Sequence, residues 1–343
     1  IEKSKGYKME QKYIEKAKSI IESIDQEFIY ANLVKLYYEG EECKKLWEEA
    51  AGVRRSVAGD NLYIRGSLEY SNYCSNNCAF CGMAKSNTKL LRYELSLEDV
   101  KKPIQILIQH GVTQLHIVTG ESKDINIDKI CEVVEYATSK GLSVTLVLGE
   151  RKENEYIRLY EAGARRYIIK FETSNVNVYK DSKGEKDLYE RIGNLYLLKD
   201  VGFKIGTGII SGLPGTNDVD LMRDIYVLKK IAPDMASVSV FSPNECSRYS
   251  MEKPGNKYKT LNFISLMRTE LKTTPIITCS SSFGAEFQSK ALKAGANLLS
   301  FHITPKKYAK DFSMYKYEKR TMTQYDYIAK CAEKGNLKIA KYI

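Results

Sequence analysis

The chain has 343 residues, 43% of them apolar and 28% charged, with a formal net charge of +10. That is a globular composition, large enough for one big domain or two small ones, and no apolar run approaches the roughly 20 residues needed to span a bilayer. The positive excess does not read as a nucleic-acid surface: Lys and Arg alternate with acids, as in Arg151-Lys152-Glu153 and Lys183-Gly184-Glu185-Lys186, which is the pattern of solvated faces. Ile1 to Lys5 are polar and hold no signal-peptide core, so a cytoplasmic protein with reduced thiols is expected.

Residues from about Met9 to Ala58 read as helices. Tyr13, Ile14, Ala17, Ile20 and Ile21 recur at helical spacing within Gln11–Ile24, with further helices near Ala31–Tyr38 and Cys43–Ser56. Leu62–Tyr70 then alternates like a strand and feeds a run in which Cys74, Cys78 and Cys81 form C-x3-C-x2-C. Gly82–Tyr93 is a polar loop. Ser96 with Asp99 looks like a capping box opening a helix to His110.

From there strands and helices alternate. The strands are Gln114–Val118, Ser143–Val147, Arg166–Lys170, Lys204–Ile209, Met235–Val240, Pro275–Thr278 and Asn297–Phe301. The helices between them are Ile127–Ser139, Glu153–Ala162, Leu188–Val201, Asp218–Ile231, Tyr258–Leu271 and Gly284–Ala294. Gly111, Gly141, Gly163, Gly202 and Gly295 punctuate the helix ends. Eight alternations imply an α/β fold, a (β/α)8 TIM-type barrel over 59–302, with an N-terminal helical leader (1–58) and a C-terminal extension (303–343) packing on the barrel's end. No G-x-G-x-x-G follows the first strand, which weighs against a dinucleotide-binding sheet.

Three thiols in eight residues, with no second cysteine pair nearby, fall short of the four ligands of a structural zinc site. An incomplete zinc knuckle or a chance grouping would leave them inert. A 4Fe–4S cluster with one iron left open uses them all. In a (β/α)8 barrel the active site lies at the carboxyl ends of the strands. Polar residues gather there: Thr119 to Ser122, Leu148 to Glu150, Phe171 to Thr173, Gly206 to Gly215, Phe241 to Cys246, Cys279 to Ser282, and His302 with Thr304.

The C-x3-C-x2-C spacing with Phe80 before the third cysteine resembles the radical S-adenosylmethionine (SAM) superfamily. The run Glu69 to Cys74, Gly120-Glu121, Leu148-Gly149-Glu150, Glu172-Thr173, Arg191 and Gly212 to Gly215 are similar to the branch holding the hydrogenase maturase HydE, methylornithine synthase and biotin synthase, with the HydE type matched from about Leu46 to Tyr315. The resemblance implies an enzyme whose open iron chelates SAM and whose product radical acts on a small molecule in cofactor biosynthesis under anaerobic conditions. It implies that Gly120 and Glu121 hold the methionine amino group, Glu172 the ribose or sulfonium side, and Arg191 the carboxylate. Ile210 and Gly212 would line the adenine and Phe80 would stack near it. A reductant such as ferredoxin or flavodoxin, and a partner maturation protein, are implied as well.

Departures from that pattern mark the substrate pocket. Lys170-Phe171 replaces an Arg-His pair, and Cys246 and Cys279 stand after strands six and seven. Those two thiols are either unrelated, or they hold an auxiliary iron–sulfur cluster or receive a sulfur-bearing substrate, which would point to sulfur insertion. A mutase like methylornithine synthase and a non-catalytic iron–sulfur scaffold are further alternatives. His302 with Tyr308 and Tyr315 is expected to face the cavity, and His116 to be a packed residue. Cys43, Cys131 and Cys331 read as fillers.

Overall fold

The computed structural model describes residues 9–279, 284–314 and 324–341. Eight parallel strands follow one another around a closed sheet: β1 (Asn61–Ser71), β2 (Gln114–Thr119), β3 (Ser143–Val147), β4 (Arg166–Ile168), β5 (Lys204–Ser211), β6 (Met235–Val240), β7 (Ile276–Cys279) and β8 (Leu298–His302). β1 pairs with both β2 and β8, so the sheet closes into the expected (β/α)8 barrel.

The local reasons are visible residue by residue. Ser96 Oγ accepts from the Asp99 N–H at 3.2 Å, and Asp99 Oδ2 accepts from the Ser96 N–H at 3.1 Å, so the capping box opens α4 (Leu97–Gln109). Gly111, Gly141, Gly163, Gly202 and Gly295 all lie at positive φ, where the chain turns from helix to strand. Along β2, Leu115 and Ile117 pack into the main apolar core while His116 lines the interior.

The remaining helices are α5 (Ile127–Ser139), α6 (Glu153–Glu161), α7 (Val176–Ser182), α8 (Leu188–Val201), α9 (Asp218–Ile231), α10 (Lys257–Glu270) and α11 (Gly284–Lys293). The leader forms α1 (Gln11–Glu22), α2 (Gln26–Leu33), a 3-10 turn (Val34–Tyr37) and α3 (Gly40–Ala58). It straps the outside of the barrel. Tyr13 donates to Asp200 on α8 at 2.7 Å, Tyr226 on α9 to the Ser23 carbonyl at 2.7 Å, and Trp47 to Asn262 on α10 at 3.1 Å.

The structure departs from the sequence reading in three places. β4 stops at Ile168, and beyond it Glu172, at a left-handed φ of 62°, rejoins the sheet as an isolated bridge to Ile209. The short α7, capped by Asn175, was not expected between β4 and α8. The C-terminal segment divides. After α12 (Lys306–Ala309), Phe312 and Met314 cover the carboxyl-end mouth of the barrel. α13 (Tyr325–Lys334) then descends the flank, and β9 (Lys338–Ala340) adds to the start of β1 at the opposite end. No helix among the described residues is long and apolar enough to cross a membrane.

Candidate active site

The barrel encloses a cavity of about 270 Å³ opening at the carboxyl ends of the strands. Ile168, Met235, Ile276 and Leu298 close it from below. Cys74, Cys78 and Cys81 edge the cavity, and so do Phe80, Gly120, Glu121, Lys170, Glu172, Arg191, Ile210, Cys279 and His302.

The cysteine run has no regular secondary structure, so its shape depends on specific bonds. A register shift between Glu69 and Ser71 bends β1 just before it, and the β1–β2 ladder ends one pair later, at Ser71 with Thr119. Arg92 then spans the loop, donating to the carbonyls of Asn72, Met83, Ala84 and Asn87 at 2.7, 2.9, 2.8 and 3.3 Å. The Ser75 N–H donates to the Glu121 carbonyl and the Ala79 N–H to the Ser182 carbonyl at the end of α7. A side chain at residue 120 would put Cβ 2.2 Å from the Tyr73 carbonyl oxygen, so this close approach requires glycine.

Burial pushes the Cys78 thiol up to about 11, with Lys183 pulling the other way; Cys81 is raised further, mainly by burial. Such thiols stay protonated until a metal displaces the proton. Among the described residues no three His, Cys, Asp or Glu side chains converge on a single ion. Three soft donors spread along one cavity edge suit a cluster in which each thiolate takes its own iron, leaving a corner for a non-protein ligand.

Beside the loop lies a buried ion network. Arg191 grips Glu121 with both prongs, at 2.7 and 3.1 Å, and reaches Glu150 at 3.1 Å; its Nε donates to the Lys170 carbonyl at 2.8 Å. Asn76 from the cysteine loop donates to Glu121 at 2.8 Å, and Lys183 Nζ lies 3.5 Å from the same carboxylate. Burial alone would raise Glu121, but Arg191 and Lys183 outweigh it and hold the group well below the ordinary carboxylate range. Residue 149, at φ 77°, must also be glycine, because a Cβ there would sit 2.4 Å from Glu121 Cγ. Glu172, in its left-handed backbone, forms an ion pair with Lys170 at 2.8 Å whose geometry is not that of a hydrogen bond. Phe80 packs beside Ile210, Leu213 and Phe241, giving the site one apolar flank.

The facing wall is neutral. Ser237, Ser239, Thr278, Cys279, Ser300 and His302 line it. Burial, with Arg65 nearby, lowers His302 to about 4. His116 is lowered well below 6.5 by burial, then by Arg65 and His302, and neither of its ring nitrogens has a hydrogen-bond partner. The register explains the grouping: Ser67 of β1 pairs with His116 on one side and His302 on the other. His116 is therefore a cavity residue and not simply a packed one.

Several expected site residues lie elsewhere. Cys246 is exposed on the loop after β6, its N–H tied to Asn244 at 2.8 Å, and it does not share the cavity with Cys279. The thiol acting on Cys279 is Cys331 of α13, so the expected pair is separated and the filler is its neighbour. Tyr308 stacks on Tyr93 with ring centres 4.9 Å apart and does not line the cavity. Gly212 is needed where its chain crosses Gly255, since a Cβ would lie 2.6 Å from the Gly255 Cα. Ser280 to Ser282 and Tyr315 fall outside the described residues. Lys183, expected on a solvated face, is 4% exposed and edges the cavity. Arg92, Asn76 and Lys183 carried no signal in the sequence, because their partners are brought together by the fold.

Comparison with known proteins agrees with this geometry. The Radical SAM superfamily family description matches residues 68–228. The FeFe hydrogenase maturase subunit HydE of Thermotoga maritima is 30% identical over 272 residues, 79% of this chain and 78% of that protein. The 3-methylornithine synthase of Methanosarcina acetivorans is 25% identical over 76% of this chain and 75% of its own length. In fold, the crystal structure of methylornithine synthase (PylB) superposes with a TM-score of 0.81 at 22% identity, covering 95% of this chain and 97% of that one. The chain belongs to the radical SAM superfamily, whose enzymes bind a 4Fe–4S cluster and S-adenosylmethionine.

Proposed function

We propose that this enzyme acts on a small molecule in the assembly of a cofactor, as a HydE-like radical SAM protein with an altered pocket. In this reading Cys74, Cys78 and Cys81 hold the cluster, and Gly120, Glu121 and the apolar flank of Phe80 and Ile210 bind SAM. When bound, cluster and SAM supply a 5′-deoxyadenosyl radical through one-electron reductive cleavage.

The chain's own residues do the rest. Arg191 locks Glu121 in its ionised form, giving a fixed acceptor for the SAM ammonium group. Glu172 presents its carboxylate from a strained backbone position at the mouth of β4, towards the ribose or sulfonium side. Phe312 and Met314 cover the opening, keeping water and stray hydrogen donors from a reactive species. The neutral wall and Lys170 meet the substrate. The electron comes from a reductant such as ferredoxin or flavodoxin, delivered beside exposed Tyr73, the neighbour of Cys74.

One observation carries the small-molecule reading: the thiols, the ion network and the neutral wall share one enclosed cavity of about 270 Å³. That volume is near the lower end of small-ligand sites. The test is SAM cleavage by reconstituted protein given size-fractionated cell extract. Stimulation by the fraction below about 1 kDa, within the range of ligands such pockets enclose, is expected. Stimulation by the macromolecular fraction alone would contradict the reading.

A further inference from the structure

We propose that Cys279 is a hydrogen-atom donor to carbon radicals formed in the cavity, a catalytic role that rests on the radical reading above and goes beyond it. Cys279 is the last residue of β7, and it lines the cavity on the neutral wall. The other thiols among the described lining residues are Cys74, Cys78 and Cys81, which the cluster takes, and no tyrosine is among them. The hydroxyls of Ser237 and Thr278 on the same wall hold their hydrogens too strongly to give them to a carbon radical. A sulfur–hydrogen bond is weaker than the carbon–hydrogen bond that replaces it, so the transfer runs downhill.

The other uses of a thiol do not suit this position. A nucleophile has to be a thiolate. Burial, with Cys331 adding to it, pushes the Cys279 thiol up to about 12, so it keeps its hydrogen at neutral pH. A metal ligand needs companions. Cys246 is exposed and outside the cavity, and Cys331 lies behind the wall with its Sγ 3.4 Å from Ser289 Oγ.

Two further side chains bring a ligand to this wall. Gln288, on α11, is 1% exposed, lines the cavity, and leaves its Oε1 without a hydrogen-bond partner. His116 lines the same cavity, and both of its ring nitrogens are unpartnered. Buried polar atoms in folded proteins are nearly always paired. A substrate with uncharged hydrogen-bonding groups supplies the missing partners and is held against the thiol.

In the proposed step the S–H bond breaks and a C–H bond forms at the substrate-derived radical, leaving Cys279 as a neutral thiyl. One electron from the low-potential carrier that reduces the cluster, and one proton from solvent, restore the thiol. Each turnover then consumes one SAM and two electrons, and the hydrogen delivered to product comes from solvent.

The test uses SAM as the only probe. Reduced, anaerobically reconstituted holoenzyme is run in heavy water without substrate, and the 5′-deoxyadenosine formed is analysed by mass spectrometry. Label is read per molecule formed, so the result does not depend on rate. Wild type is expected to give mostly singly deuterated 5′-deoxyadenosine. In Cys279→Ala the labelled fraction is expected to fall ~10-fold or more, the ratio set by a barrier difference of ~1.4 kcal/mol between the thiol and the next donor. Cys331→Ala should keep the label. A readout without turnover accompanies it: infrared difference spectra of SAM-free holoenzyme, wild type minus Cys279→Ala, should show an S–H stretch at neutral pH that shifts in heavy water. Should Cys279→Ala fail to fold, Cys279→Ser supplies both comparisons. Unlabelled 5′-deoxyadenosine from wild type overturns the proposal and leaves the cofactor reading standing. Label that persists in the Cys279 variant, or a missing S–H stretch, also overturns it. No 5′-deoxyadenosine from wild type overturns the cofactor reading together with this one.

Discussion

The two walls of the cavity are built on opposite electrostatic plans. The wall from β1 to β4 with α7 and α8 is charged and pre-bonded: Arg191, Lys183, Glu121 and Glu150 satisfy one another, and the cysteine loop is laced to them through Asn76, Ser75 and Ala79. The wall from β6 to β8 is neutral, made of serines, a threonine, a thiol and an imidazole held uncharged by burial. The superfamily match, residues 68–228, ends before β6. A pre-organised ionic wall suits a charged ligand shared across a family, since its groups need no rearrangement when that ligand arrives. A neutral wall of small polar groups can be respecified by single substitutions, and it lies outside the matched segment.

That contrast can be broken experimentally, starting at the charged wall. Cys78→Ala removes one cluster ligand; iron is expected to drop from about four per chain to near zero, with SAM cleavage lost by more than ~1000-fold, because among the described residues no thiol besides Cys74 and Cys81 edges that side of the cavity to replace it. Arg191→Met leaves two partly buried carboxylates with only their lysine partners and is expected to cost ~2–3 kcal/mol in denaturant unfolding. His116→Leu, at the uncharged imidazole on β2 where the charged wall meets the neutral one through Ser67, should behave in the opposite way. Its nitrogens bond nothing, so an apolar replacement is expected to be neutral or to stabilise by about 1 kcal/mol. A loss as large as that of Arg191→Met would mean that the walls are not so different.

pH separates them further. His302 is neutral in the folded protein, with its value lowered to about 4 from 6.5. Between those limits the unfolded chain binds the extra proton, so stability is full above 6.5 and is lost as pH falls towards 4. His302→Asn should make that loss shallower, by at most about 1.4 kcal/mol per pH unit; an unchanged slope would show that His302 does not contribute. The smallest effect is expected from Cys246→Ala with Cys279→Ala. With Cys246 exposed and outside the cavity, iron content should stay at about four. A fall from eight to four would restore the auxiliary cluster.

How much of this the chain declares depends on whether the signal is local. α5, β3, α8, α9 and β6 begin and end where hydrophobic period, caps and glycines put them. The three thiols were legible for the same reason: they are neighbours in sequence. α7 is too short to show a period, and Lys183-Gly184 looks like any polar turn until it folds against the cysteine loop. Arg92 holds four carbonyls, and backbone acceptors leave no trace in residue type. Cys279 finds Cys331 across a stretch of chain that no spacing rule connects. Arg191 stood out in the sequence, but its partners Glu121, Glu150 and the Lys170 carbonyl did not, because only the fold brings them together.

The account's central claim is that three thiols and an ionic corner are arranged to cleave SAM. The most direct measurement is 5′-deoxyadenosine formation by anaerobically reconstituted, reduced protein carrying about four irons per chain. The account predicts 5′-deoxyadenosine from wild type and none from Cys78→Ala. A fully loaded, reducible cluster that leaves SAM intact would contradict it and leave an iron–sulfur scaffold in its place.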